Sequence, residues 1–268
     1  MGRIATRLYV EDDLGPGATV GLDHARAHFL RSVLRLSRGA ALALFNGRDG
    51  EWSARLDGLG KGWASLVVEA QRREQSPEPD LWLLFAPIKR ARIDFLAEKA
   101  SELGVSRLQP VLTRNTSVTR VNCERLAANA REAAEQCERL SVPAVGEPLD
   151  LFTALADWPA RRRLLVCAEA GPSQPIAAVL SAQAANDTVT GTGAESWAIL
   201  TGPEGGFTES ELDGLRNLPF VKPVGLGPRV LRADTAAIAA LACWQAILGD
   251  GGVGPRRAPA AEAAPDRT

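Results

Sequence analysis

From Leu81 onward the chain alternates short apolar runs with helical spacing, and that rhythm most constrains its fold. LWLLFAP reads as a buried strand. RARIDFLAEKASELG follows, with Ile93, Leu96, Ala97, Ala100 and Leu103 on one face and Gly104 placed to end the helix. VSRLQPVLT is the next strand. CERLAANAREAAEQCERL is the next helix, with Leu126, Ala130, Ala133, Cys137 and Leu140 in register. RRLLVCAEA, SWAILTG and VKPVGLG are three further strands. Strands separated by helices predict an α/β domain with a parallel sheet covered on both faces.

The first 72 residues read differently. TRLYV, ALALF, EWSARL and WASLVVEA are short apolar or alternating runs, and NGRDG is a hairpin-type turn signal. DHARAHFLRSVLRL is the exception. Its helical spacing puts His28, Arg31 and Arg35 on one face and Leu30, Val33 and Leu34 mostly on the other. Trp52 and Trp63 are expected in the core. The expected organisation is a β-rich domain over 1–72, a polar linker with prolines over 73–79, an α/β domain over 80–249 and a disordered tail over 250–268. Residues 184–196, small and polar, read as a surface loop.

The net charge of the 268-residue chain is −1, so any nucleic-acid surface must be a local patch. The four cysteines have no CxxC and no metal-like spacing with His24 and His28. Neither a metal site nor a disulfide framework is expected. The start lacks a signal sequence and no apolar run is long enough to span a membrane, which predicts a cytoplasmic protein.

One strand runs into LTGPEGGFTESEL, residues 200–212. Thr208 and Glu211 form a capping box, and Phe207 and Leu212 are spaced as a hydrophobic staple. A strand, a glycine bend and a helix N-terminus together present free backbone N–H groups. No Lys-Ser/Thr follows the glycines, so this is no polyphosphate loop. Glu204 would also repel phosphates and suits hydroxyls, amines or a cationic centre. A second bend follows at LGPRVLRADTAAIAALACWQAIL, 226–248. Arg229 and Arg232 precede a helix apolar nearly all round, which is expected inside a core or in a subunit interface. Asp234 suits the positive end of that helix. Ligands in open α/β sheets lie at the carboxyl ends of strands, so two such bends at neighbouring strand ends predict a crevice. Taken alone, the first bend leaves a well-capped turn open as the other reading.

GPEGG followed by LGPRVLRADTA closely resembles the RsmE family of bacterial ribosomal RNA methyltransferases, in the SPOUT class. IDFLAEKASELGVSRLQPVLTRNTSV, EAAEQCERLSVP and HFLRSVLRLSRGAALALFNG resemble three further family segments in the same order, so coverage is roughly residues 3–249. This chain has Asp234 where the family usually has Glu. The resemblance implies S-adenosylmethionine as cofactor and methylation of N3 of a uridine in 16S ribosomal RNA of the small ribosomal subunit. It also implies a C-terminal SPOUT domain with a trefoil knot, an N-terminal PUA- or OB-like β-barrel that binds RNA, and a homodimer.

Under that resemblance Leu200, Thr201, Gly202, Pro203, Glu204, Gly205 and Gly206 form one side of the cofactor slot. Leu226, Gly227, Val230, Leu231 and Arg232 form the other. Arg232 is the candidate to stabilise charge developing on the target base, with an ion pair to Asp234 as its alternative use. Asp234 or a water is the candidate proton acceptor, since both histidines lie in the N-terminal part. Arg3, Arg7, His28, Arg31, Arg35, Lys89, Arg92 and Arg114 are the candidate RNA contacts. The N-terminal 72 residues carry ten Lys and Arg against eight Asp and Glu, so the patch must be one-sided rather than strongly charged. A ribose 2′-O-methyltransferase lacks its expected segments here, a catalytically inactive RNA-binding factor has no need of two intact glycine bends, and a small-molecule enzyme leaves the N-terminal domain without a purpose.

Overall fold

The computed structural model describes residues 4–168, 171–190 and 196–254. The N-terminal part contains β1 (Arg7–Tyr9), β2 (Thr19–Leu22), α1 (His24–His28), a π-helical turn (Phe29–Val33), β3 (Ala41–Phe45), β4 (Glu51–Gly60) and β5 (Trp63–Arg73). They form one mixed sheet in the order β1-β3-β4-β5-β2, with β1 and β3 parallel and the other pairs antiparallel. The path is open, with β1 and β2 as its edges. Ala27 and Leu30, from α1 and the π turn, pack into the core of this sheet. Asn46 closes the β3–β4 connection, its Oδ1 accepting from the N–H groups of Arg48 and Asp49.

The remaining elements are β6 (Leu81–Phe85), α2 (Arg90–Glu102), β7 (Arg107–Leu112), α3 (Cys123–Gln136), β8 (Ala144–Val145), β9 (Leu149–Asp150), α4 (Leu151–Ala156), β10 (Arg162–Cys167), β11 (Gln174–Pro175), α5 (Ile176–Thr190), β12 (Ser196–Thr201), α6 (Glu209–Arg216), β13 (Val221–Gly225) and α7 (Ala233–Ile247). The main sheet runs β11-β13-β10-β12-β6-β7-β8, and every pairing in it is parallel. Strand periodicity divides its side chains between two cores. Leu81, Leu83, Phe85, Leu165 and Ile199 face one core with α2, α3, α5 and α7. Leu84, Leu164, Val166, Ala198 and Leu200 face the other with α4 and α6. The expected parallel sheet, covered on both faces, is present.

Several expectations need correction. The segment read as a loop over 184–196 is helical through Thr190, and 191–195 lie outside the described residues. Helix α3 ends at Gln136, because Glu138 adopts a left-handed φ of 64°. His28, Arg31 and Arg35 are exposed but do not share one α-helical face. The π turn widens the spacing between them, and Arg35 sits at φ 53°. Val33 and Trp63 are exposed at 59% and 54%. Trp63 lies instead across Gly58 and Gly60 of the neighbouring strand, where a Cβ would collide with its ring. Residues 250–254 of the expected tail turn back on α7, with Asp250 and Gly251 N–H groups bonded to Gln245. The rest, 255–268, lies outside the described residues, as does Arg3.

The two sheets are joined by buried charge. Arg7 Nη1 donates to the carbonyls of Ala134 and Glu135 at 3.0 and 2.8 Å, and Nη2 donates to that of Arg139 at 2.7 Å. The first two are carbonyls that the end of α3 leaves unpaired, at the negative end of its dipole, and the third lies just beyond that helix. Arg7 Nε also pairs with Glu51 at 2.7 Å, and Glu51 is shared with Arg72 and Arg73. Arg7 is therefore an interdomain clamp and not an RNA-facing residue. Tyr9 N–H donates to Glu135 Oε1 at 2.9 Å, and Phe45, Ala134 and Leu140 fill the apolar part of the seam. On the connecting segment, Glu78 accepts from Arg139 and Ser141. Arg7→Ala strips three buried carbonyls and one carboxylate of a shared donor, so it is expected to lower unfolding stability by about 3 kcal/mol in urea denaturation. A loss below about 0.5 kcal/mol would show that the seam does not depend on it.

Candidate cofactor site at the carboxyl ends of the parallel strands

The two glycine bends follow β12 and β13. These strands are not neighbours, contrary to the sequence expectation: β10 lies between them. The bends therefore stand on either side of the end of β10, whose Cys167 and the following Ala168 join the cavity wall. The cavity encloses about 410 Å³. That is the size of a small-molecule site.

Thr201, Gly202, Pro203, Glu204 and Gly206 line one side, and Leu226, Gly227, Val230, Leu231 and Arg232 line the other. Two residues of the expected set do not line it. Leu200 is fully buried in the core shared with α4 and α6, because the strand's alternation turns it to that face. Gly205 lies on the far side of the bend against Asn115. Ser173, Phe207, Arg229, Ala233 and Ala236 also line the cavity and were not read from the sequence. Cys167, equally unread, was findable from its position at a strand's carboxyl end. Burial pushes its thiol up to about 12, with Cys243 adding to the effect, so it stays protonated near neutral pH.

The glycines are required by geometry at two positions. Gly227 has φ 102° and Gly206 has φ 67°, conformations that a side chain strains. At Gly202 the limit is space, since a Cβ would lie 2.9 Å from the ring of Phe207.

The capping box of α6 is formed in full. Thr208 N–H donates to Glu211 Oε2 at 2.8 Å, and Glu211 N–H donates to Thr208 Oγ1 at 3.3 Å. The other oxygen of the buried Glu211 accepts from Arg114 N–H at 2.8 Å, which ties the loop after β7 to the start of α6.

The ion pair to Asp234, the alternative use of Arg232, is not formed among the described residues. Arg232 is exposed at the cavity mouth, and no carboxylate among the described residues pairs with it. Asp234 does not line the cavity; it faces Arg92 at 3.8 Å. Arg92 itself is half-buried and lines the cavity. Lys89 and Arg114 are exposed. Among the described residues, no group of His, Cys, Asp and Glu can hold a metal ion, and no helix is long and apolar enough to cross a membrane.

Removing Glu211 leaves two part-buried N–H groups without an acceptor, whereas removing the Thr208 hydroxyl loses its cap bond from Glu211 N–H and its own bond to the Glu211 carboxylate but orphans only one N–H. Glu211→Ala is expected to cost about 2 kcal/mol and Thr208→Ala about 1 kcal/mol in chemical denaturation. Equal costs would mean that the Arg114 bond contributes nothing.

A family model described as an RNA methyltransferase domain matches residues 74–245, and one described as an RNA methyltransferase PUA domain matches residues 22–69. The ribosomal RNA small subunit methyltransferase E of Rickettsia conorii is 32% identical over 239 residues, covering 88% of this chain and 93% of the relative. That of Synechocystis is 33% identical, over 91% of this chain and 78% of the relative. Among solved structures, the Neisseria gonorrhoeae ribosomal RNA small subunit methyltransferase E bound to S-adenosyl methionine superposes with a TM-score of 0.77. It has 26% identity and covers 91% of this chain and 98% of its own. A Legionella pneumophila methyltransferase with bound cofactor SAM superposes at 0.74 with 27% identity, over 91% and 98% of the two chains. Fold, bends and sequence agree: a PUA-like sheet precedes a SPOUT-type parallel sheet, and the chain belongs to the ribosomal RNA small subunit methyltransferase E family.

Proposed function

We propose that this chain transfers the methyl group of S-adenosylmethionine to N3 of a uridine in 16S ribosomal RNA of the small ribosomal subunit. The carrying observation is the cavity of about 410 Å³ built by two glycine bends on either side of β10, in a chain of this family. S-adenosylmethionine brings an electrophilic methyl group on a sulfonium. The chain's part is to hold and orient it. Gly202, Gly206 and Gly227 let backbone approach the ligand closely, and Leu226 and Leu231 supply apolar wall. Glu204 is an exposed carboxylate on that wall, which suits a cationic ligand and disfavours a polyphosphate.

Alkylation at N3 of uracil requires the base to lose its N3 proton, and negative charge then spreads over the flanking carbonyl oxygens. Arg232, exposed at the mouth and unpaired by any described carboxylate, is the group assigned to stabilise that charge. Asp234 is assigned to hold Arg92 at the mouth, not to take the proton, because it stands outside the cavity. The protonated Cys167 is unsuited to that task as well. Of the two acceptors the sequence offered, Asp234 and water, the proton is assigned to water at the open mouth.

Residues 1–72 serve as the RNA-binding domain, 73–79 as the connection and 80–249 as the catalytic domain with a trefoil knot. His28, Arg31, Arg35, Lys89 and Arg114 are exposed and available to phosphates. The enzyme acts in the cytoplasm as a homodimer. Ile238, Cys243 and Ile247 of α7 are only half-buried within one chain, and a second subunit would cover them.

Nucleoside mass spectrometry of 16S ribosomal RNA from cells with and without the gene is expected to show N3-methyluridine lost on deletion and restored by the gene; an unchanged level sinks the reading. Gly227→Val forces a β-branched residue to φ 102° and displaces one cavity wall. Calorimetry with S-adenosylmethionine is expected to show affinity lowered at least about tenfold. Wild-type affinity in that variant would remove the second bend from the site.

A further inference from the structure

We propose that Asn115 is a positioning residue for the cofactor, holding the GPEGG bend from the loop between β7 and α3. The proposal rests on the cofactor reading of the cavity. Asn115 does not line that cavity. Its Nδ2 donates to the carbonyls of Gly205 and Gly206 at 3.0 and 3.1 Å. Two acceptors on one side identify the amide nitrogen there, because the amide oxygen cannot donate to them. A Cβ added at Gly205 would lie 3.2 Å from Asn115 Cβ, so loop and bend are in close contact at this point.

Each carbonyl belongs to a planar peptide unit that also carries the next residue's N–H. Fixing the Gly205 and Gly206 carbonyls therefore fixes the planes that carry the Gly206 and Phe207 N–H groups. Gly206 and Phe207 both line the cavity. Glycine peptides are otherwise the freest to rotate, and Gly206 sits at φ 67°. Within the bend, the Gly206 N–H bond to Pro203 O at 2.9 Å is the one backbone bond among the described residues. Asn115 supplies two bonds from outside.

The loop that carries Asn115 is itself anchored. Thr113 N–H donates to Thr116 Oγ1 at 2.9 Å, and Thr116 N–H donates to Thr113 O at 3.1 Å. Arg114 N–H is held by Glu211 at 2.8 Å. Asn115 thus stands between the end of β7 and the first turn of α6, and it transmits their rigidity to the bend.

The test uses the full-length protein with Asn115→Ala, Asn115→Asp and Asn115→Ser. Hydrogen exchange without cofactor is expected to speed up over 203–207 in Asn115→Ala. The Kd for S-adenosylmethionine by calorimetry, and its KM with small subunits as acceptor, are expected to rise about tenfold, the effect of losing one or two hydrogen bonds. At saturating cofactor kcat stays within about twofold, since Asn115 does not line the cavity. Asn115→Ser keeps one donor and recovers part of the affinity. Asn115→Asp places a carboxylate against two carbonyls and binds more weakly than Asn115→Ala. Unchanged exchange in Asn115→Ala, or a kcat loss at unchanged KM, overturns the proposal. Wild-type protein that fails to bind S-adenosylmethionine overturns the cofactor reading and with it this role, while exchange still reports the clamp separately.

Discussion

The cavity exists because β10 lies between β12 and β13 in a wholly parallel sheet. Parallel pairing brings every carboxyl end to the same side of the sheet. Two chain bends that leave β12 and β13 there cannot close over each other without leaving the width of one strand between them. That gap is the site, with the end of β10 in its wall. The bends can turn so sharply only because Gly206 and Gly227 occupy left-handed conformations.

A bend of glycines is soft, so its shape must be imposed by its surroundings. The structure does this with backbone-directed hydrogen bonds rather than with packing. Glu211 accepts from Thr208 and Arg114, and Asn115 donates to Gly205 and Gly206. The same economy appears at the domain seam, where Arg7 satisfies two carbonyls at the end of α3 and one just beyond it, and leans on Glu51. In both places a polar side chain pairs main-chain groups that are otherwise costly to bury.

Local signals were legible wherever the cause was local. The capping box of Thr208 and Glu211 depends on residues three apart, and Gly104 ends α2 with φ 79° as its position predicts. The strands with apolar runs were found, but β2, four residues with a glycine inside, was not. Helix α5 ran on through a polar stretch whose composition pointed to a loop. The fates of charged side chains were least legible. Arg7 and Arg31 look alike in sequence, yet one is buried against α3 and the other is exposed. Asp234 sits two residues from Arg232 but faces Arg92, more than 140 residues earlier.

The sequence by itself determined the alternation of strands and helices, the positions of both glycine bends and the capped start of α6, since periodicity, positive φ and capping act over a few residues. Tertiary structure alone decided that β10 separates the bends, that Leu200 and Gly205 turn away from the cavity, and that Asn115 braces it. Those outcomes depend on strand order and on partners tens of residues distant, and no local preference encodes them.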